Sequence, residues 1–431
     1  MILLLQPFQE KGGQTMLEYW YKDRRTLLDF RRGPLGPYFD RFAVHLKDKG
    51  YGNVRAKDIL GKCCLFNIYL IDKGITFKKI DPSQIEPFLD DHLSTFRTSS
   101  GYCPRTNTRG MLKRLFSYLV EVEGLRLKET KPAPTRYSWM LDPYLQYLRE
   151  ECQLCESTIH QSGVRLCAFL EGLEEKVTRK DMKLLRPEAI ESYVKQHCKE
   201  SRENLRSLVG TLRRFLRFCA RQGITSIDLS GVIPSIPSYR YSSLPEGVED
   251  SDLQRILNVI PKDTVVGSRD YAIMILMMAY GIRGKSVAEL NLEDICWPRS
   301  TIRIRAQKGG KEVILPLLDA VGEAILHHFR NRLEGPFREV FLAARAPFRP
   351  LNSVAISRII RSYMKKAGVK KIGSGSRTLR HSWAIRALAQ DSPMKCIADV
   401  LGHRCLDTTF IYAKADLKTL RQVVMPWPEG R

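Results

Sequence analysis

"SRDYAIMILMMAYGIRGKS", residues 268–286, decides the fold. From Tyr271 to Tyr280 the run is apolar nearly all round, so a helix there leaves no face for water and must be buried among other elements. Gly281 is the C-terminal stop, because glycine enters left-handed backbone without the penalty a Cβ brings. Arg283 is thereby set just beyond the helix end. Further on, "ICWPRSTIRIRAQKGGKEVILPL" (295–317) alternates and is broken by Lys308-Gly-Gly-Lys311, which predicts a small antiparallel sheet with a glycine turn. The segments 249–260, 320–330, 352–368, 376–390 and 391–403 read as helices. The first has Ser251 or Asp252 as its expected cap; the last has Asp391 or Ser392, with Pro393 at the first helical position. Residues 245–431 are therefore expected as one α-rich domain with a small sheet.

Upstream, residues 35–125 and 141–224 read as two copies of one helical module, a duplication rather than a solenoid. The third elements match best: Ile80, Pro82, Ile85, Glu86 and Phe88 against Leu185, Pro187, Ile190, Glu191 and Tyr193. In the last helix of the second copy, Leu208, Leu212, Phe215, Leu216 and Cys219 form an apolar stripe; Arg213, Arg214, Arg217 and Arg221 form a basic one opposite. Lys113 and Arg114 repeat this more weakly in the first copy. Such a stripe is either a solvated face or a DNA-backbone contact. Pro-rich linkers, "KETKPAPTRYS" (128–138) and "GVIPSIPSYRYSSLPEGVED" (231–250), separate the parts and predict relative movement. Residues 1–34 are set apart as an N-terminal extension without clear periodicity.

Composition narrows the partner. The chain of 431 residues carries 70 Lys+Arg against 47 Asp+Glu, a net charge of +23. Each neutralised phosphate releases condensed counterions, so this excess points to nucleic acid ahead of an anionic membrane surface. The apolar opening "MILLLQPF" is too short for a signal or a span, which predicts a cytoplasmic, nucleoid-associated protein with no membrane partner. Cys152 and Cys155 form a C-x-x-C, but no second pair lies at zinc-ligand spacing, so neither a metal nor a cofactor is expected.

Four segments then stand in chain order: "YGIRGKSVAEL" (280–290), "AQKGGKEVILPL" (306–317), "SRTLRHSWA" (376–384) and "LGHRCLDTTFIY" (401–412). Singly each has an ordinary explanation: an arginine at a helix end, a turn lysine, a basic surface, a core tyrosine. As an ordered set they resemble the tyrosine recombinases, the phage-integrase-like enzymes, over residues 249–415. The resemblance implies SAM-like core-binding modules before an α-rich catalytic domain. It makes Arg283 and Arg380 the phosphate-binding arginines, His403 the residue completing that clamp, Lys308 the general acid and Tyr412 the nucleophile. The sequence departs from the pattern at Arg377, where His is usual, and at Ser286, where an acidic residue is usual. An imidazole exchanges protons near neutral pH and a guanidinium does not, so Arg377 implies altered proton handling, with hydrogen-bond donation to phosphate retained.

The chemistry is coherent. Displacement at a phosphodiester builds charge on non-bridging oxygens, which two fixed guanidiniums clamp by charge-assisted bonds. Neighbouring cations favour the phenolate of a group whose reference pKa is about 10. The expected protein is a strand-exchange enzyme acting on a double-stranded recombination site through 3′-phosphotyrosine. The resemblance implies a synaptic homo-tetramer, with a C-terminal tail (413–431) carrying Leu417, Leu420, Val423 and Val424 that docks on a neighbour, and room for partner recombinases. Arg213, Arg214, Arg217, Lys113, Arg114 and Lys311 are the expected DNA contacts. The rivals are an accessory DNA-binding subunit that no longer cuts and a relaxase of the type IB topoisomerase kind.

Overall fold

The computed structural model describes residues 15–93, 104–125, 137–173, 178–237, 245, 247–306, 312–332, 336–370, 373 and 375–415. It is mainly helical with one small antiparallel sheet, the class the sequence predicts. The described residues fall into two compact units, one within Met1–Arg126 plus Tyr241–Arg431 and one within Leu127–Arg240.

The first unit begins with α1 (Met16–Trp20), α2 (Arg24–Arg31), α3 (Gly36–Asp48), α4 (Asn53–Asp72), α5 (Ile85–Leu93) and α6 (Pro104–Glu121). Thr15 and Glu18 form a capping box on α1, and Asp23 caps α2. Residues 15–34 are thus no loose extension: Met16, Leu17, Trp20 and Phe30 are buried, and Phe30 meets Phe39 edge-on at 5.2 Å. Fully buried Asn67 pins the turn into α3, accepting from Leu35 N at 3.0 Å and donating to Arg32 O at 2.8 Å. A period-based reading overlooks these helices because they are short and rely on tertiary burial.

The second unit holds α7 (Ser138–Glu150), α8 (Glu156–Leu173), α9 (Arg179–Lys183), α10 (Pro187–Gln196) and α11 (Arg202–Arg221). A pair of aromatic contacts recurs in the two units. Phe66 meets Phe88 edge-on at 5.2 Å and Phe88 meets His92 at 4.6 Å; Phe169 meets Tyr193 edge-on at 5.0 Å and Tyr193 meets His197 at 4.4 Å. Pro187 opens α10 as expected, whereas Pro82 opens a 3-10 turn leading into α5. The start of the expected second linker is docked: Ile233 is buried, while Arg206 donates to Pro237 O and Arg213 to Ile233 O, each at 3.0 Å.

The remainder of the first unit runs α12 (Asp250–Asn258), α13 (Val265–Tyr280), α14 (Gly284–Ala288), β1 (Ile295–Cys296), β2 (Thr301–Ile304), β3 (Val313–Pro316), α15 (Asp319–Asn331), α16 (Ser353–Lys366), α17 (Ser376–Ala389) and α18 (Met394–Val400), then 3-10 turns at Leu406–Thr408 and Phe410–Ala415. Two cap expectations shift. Glu249, not Ser251 or Asp252, is the N-cap of α12, and Pro393 is itself the N-cap of α18, preceded by Asp391 in left-handed backbone at φ 58°.

Helix α13 is the buried pillar. Ala272, Ile273, Met274, Leu276 and Met277 have no exposure, and each large apolar side chain contributes about 1.5–3 kcal/mol by leaving water. Gly281 ends it at φ 59°, and a Cβ there would lie 2.9 Å from the Trp383 side chain. Three side chains of α17 serve the carbonyls at that end: Arg380 bonds Gly281 O at 3.0 Å, Trp383 bonds Ala279 O at 2.7 Å and Arg386 bonds Met278 O at 2.8 Å. The strands pair antiparallel in the order β1-β2-β3, with Ile302 opposite Leu315. Tyr280 locks the sheet to the pillar, its hydroxyl donating to Pro316 O at 2.7 Å and accepting from Leu318 N at 3.0 Å. Buried Asp294 holds Arg303 at 2.8 Å and Arg305 at 3.0 Å, fixing the root of the β2-β3 hairpin.

Candidate active site

Three chain segments meet where α13 ends. Arg283 is the N-cap of α14, held just past Gly281. Arg380 sits on the inner face of α17. His403 and Tyr412 come from the segment after α18, which packs on α17 through a small core of Ala384, Leu388, Ile397, Leu401 and Tyr412.

Arg380 is the buried centre, 7% exposed. Besides Gly281 O it bonds Leu401 O at 2.8 Å and His403 Nε2 at 2.8 Å. Burial, then the Arg283 cation, bring its pKa down to about 10, while Tyr412 works the other way; it remains a cation at neutral pH. Arg283 is half-buried and donates to Gly402 O at 3.5 Å; its pKa is also lowered by burial, with Tyr412 opposing. Two like charges held together, bonded to neutral groups and to no carboxylate among the described residues, attract an anion strongly.

His403 is wedged between Arg380 and Thr409, a residue with no exposure, whose hydroxyl lies 2.7 Å from His403 Nδ1. Burial, Arg380 and Arg283 bring this imidazole down to about 4, so it is neutral at pH 7. Its Nε2 lone pair therefore accepts from Arg380, and its Nδ1–H donates to Thr409. In this arrangement His403 orients Arg380. Donating to a phosphate from Nε2 requires a tautomer change or protonation.

Tyr412 is 3% exposed, and its hydroxyl lies 2.9 Å from His381 Nδ1, with the rings edge-on at 5.5 Å. Burial raises its pKa; Arg380, Arg283 and Arg377, in that order, oppose this without reversing it. The expectation that neighbouring cations favour the phenolate is therefore met in sign but outweighed by desolvation. His381 lies in "SRTLRHSWA" at the last position of the family's H-x-L-R-H pattern, although it is not among the residues expected to be catalytic. Its sequence signals are that motif position and adjacency to Arg380, which only side-chain geometry turns into contact with position 412. Arg377 is exposed on the first turn of α17 and acts on both His381 and Tyr412 through its charge.

Lys308 and Lys311 lie outside the described residues, as does the tail beyond residue 415. Of the expected DNA contacts, Arg214 and Arg217 are exposed on α11, and Lys113 is exposed on α6. Arg213 is half-buried and engaged with Ile233 O and Pro234 O; Arg114 is half-buried and reaches Gly110 O at 3.2 Å. Among the described residues no group of His, Cys, Asp and Glu is arranged to hold a metal ion, and no helix is long and apolar enough to cross a membrane.

The chain is similar to known proteins. Residues 247–418 match the phage integrase family. The chain is 31% identical over 405 residues to the integrase/recombinase y4rA of Sinorhizobium fredii, covering 92% of this chain and 95% of that one. It is 27% identical over 292 residues to the tyrosine recombinase XerA of Pyrococcus furiosus, covering 67% of this chain and 94% of that one. Among solved structures, the XerH site-specific recombinase bound to palindromic difH substrate has a TM-score of 0.54 at 17% identity, covering 79% of this chain and 96% of that chain. A lambda integrase dimer bound to a core site, with a TM-score of 0.51 at 16% identity, covers 68% and 98%. These two likenesses concern the fold.

Proposed function

The chain belongs to the phage integrase family of tyrosine recombinases, and from that premise we propose that it cuts and rejoins DNA strands at a specific site through a covalent 3′-phosphotyrosine. The observation that carries this reading is the action of Arg283 and of Arg380, itself held by His403, on the hydroxyl of Tyr412. A scissile phosphate drawn to Arg283 and Arg380 has its non-bridging oxygens clamped as negative charge grows on them. Its own charge offsets the cations and takes up part of the desolvation that Arg380 now bears. Tyr412 Oη attacks phosphorus and the 5′ oxygen departs, protonated in this reading by Lys308 from the hairpin that Tyr280 and Asp294 anchor. The new phosphodiester keeps the energy of the old one, so a second strand's 5′ hydroxyl can reverse the step without ATP.

In the same reading, the two N-terminal modules contact DNA through Arg214 and Arg217 and through Lys113 and Arg114, with Lys311 at the hairpin, while Arg213 is taken up as a tether. The active assembly is a homo-tetramer joined by the tail after residue 416, with partner recombinases admitted at the same synapse. A lambda integrase tetramer bound to a Holliday junction is among the solved relatives, which supports that assembly by analogy. A nicked suicide duplex made from DNA flanking the chain's gene tests the chemistry. A covalent adduct with wild type, absent in Tyr412→Phe, is expected. Site binding with no adduct refutes it and favours a non-cutting accessory subunit, the reading supported by Arg377 in place of an imidazole and by the buried Tyr412 hydroxyl.

A further inference from the structure

We infer that His381 is the proton acceptor for Tyr412, supplying from one helical turn further along α17 the imidazole that position 377 lacks. The inference rests on the recombinase reading above and adds the identity of the base.

Positions 377 and 381 are four apart on one helix, so their side chains leave the same face. A titratable ring placed at either can reach what packs over that face, and what packs there is the turn Phe410–Ala415 carrying Tyr412. Of the two, it is His381 whose Nδ1 stands 2.9 Å from the hydroxyl. The phenol has two roles to fill. As an acceptor it faces the Arg380 cation; as a donor it needs a lone pair, and His381 Nδ1 provides it. The charged groups around His381 are Arg377 and Arg380 on its own helix, with Tyr412, His403 and Arg283 from the elements packed against them. Burial, then Arg377 and Arg380, bring its pKa down to about 4 in the free protein, which keeps Nδ1 unprotonated and open to the hydroxyl.

An incoming phosphate brings negative charge to the same cations, and the imidazole's proton affinity rises as they are neutralised. In the step itself the Oη proton passes to His381 Nδ1 and the Oη–P bond forms. The P–O5′ bond breaks and the 5′ oxygen takes its proton from the Lys308 ammonium. Religation runs the same transfers backwards, returning the proton from His381 to Tyr412.

A leaving-group swap separates this role from a structural one. The probe is the nicked duplex with an ordinary phosphodiester, and a second version with a 5′-bridging sulfur, whose thiolate departs without an acid. With wild type forming the adduct, His381→Ala should cleave both substrates about 10²–10⁴-fold more slowly, the span of general-base catalysis. Lys308→Ala should be slow on the oxygen substrate and restored on the sulfur one. His381→Asn offers the hydroxyl an acceptor of similar reach that cannot take its proton, and should be slow although folded and DNA-bound like wild type. In both His381 variants the cleavage rate should keep climbing with pH where wild type has levelled.

Near-wild-type cleavage by either His381 variant overturns the inference while leaving the recombinase reading intact. So does recovery of a His381 variant on the sulfur substrate, which would place its action on the leaving group. Wild type without an adduct overturns both.

Discussion

Arg380→Lys tests the centre of the site, because it keeps the charge and removes the fork. In the native protein two Nη atoms make three bonds, to Gly281 O at 3.0 Å and to Leu401 O and His403 Nε2 at 2.8 Å each. A shorter side chain ending in one ammonium cannot span carbonyls contributed by the end of α13 and the end of α18 together with the imidazole. One or two charge-assisted bonds are lost at about 1.5–3 kcal/mol each, and a buried carbonyl is left without a donor. A net loss of about 2–4 kcal/mol in a domain of this size lowers its melting temperature by about 5–15 °C. Cleavage should fall further than stability explains, by about 10²–10³-fold, the typical loss when one donor to a developing oxyanion is removed. Circular-dichroism melting of the full chain and single-turnover cleavage at a temperature where both proteins are folded measure the two effects. A variant that melts within about 2 °C of wild type would show that these three bonds do not hold the site together, and the reasoning would fall with them.

Thr409→Val keeps shape but removes the acceptor that fixes the His403 tautomer; a stability loss of about 1–2 kcal/mol by chemical denaturation should accompany slower cleavage with unchanged DNA affinity. Gly281→Ala forces a Cβ into left-handed backbone against Trp383 and should cost at least about 1–3 kcal/mol, read from the same denaturation curves. On α11, Arg213→Ala should lower stability, whereas Arg214→Ala with Arg217→Ala should leave melting unchanged and flatten the salt dependence of DNA binding, the log–log slope falling by up to about 0.9 for each phosphate no longer neutralised. His328 is buried, with Nε2 3.1 Å from Val340 O, and burial holds its pKa near 4 against an ordinary 6.5. The unfolded chain therefore takes the proton first: stability is full above about pH 6.5 and falls as pH drops toward 4, by about 3 kcal/mol from this residue. Half-buried His381 and His403 act in the same direction, so His328→Phe should reduce the acid sensitivity of unfolding without abolishing it.

Much of this molecule was legible in order along the chain. The all-round apolar run of α13, its glycine stop and the alternating hairpin follow from periods and backbone chemistry, which are local properties of residues a few positions apart. The features that sequence hides have one thing in common: each depends on a partner from a distant element. The helices at 16–31 are too short to stand without Phe39 and Asn67, which lie on other elements. Arg213 belongs to a basic stripe by spacing, but the docked segment at 233–237 uses it as a tether. His381 carries no role until the turn containing Tyr412 folds over α17.

Residue types and their order therefore determined the α-rich class, the chain's family and the set of groups able to bind a phosphate. The tertiary structure alone decided which nitrogen faces which oxygen, and which charge outweighs which. Tyr412 is the clearest case: its neighbours in space favour its ionised form, yet its burial opposes it more strongly. Desolvation depends on everything packed within a few ångströms from all directions, a quantity that no linear stretch of sequence contains.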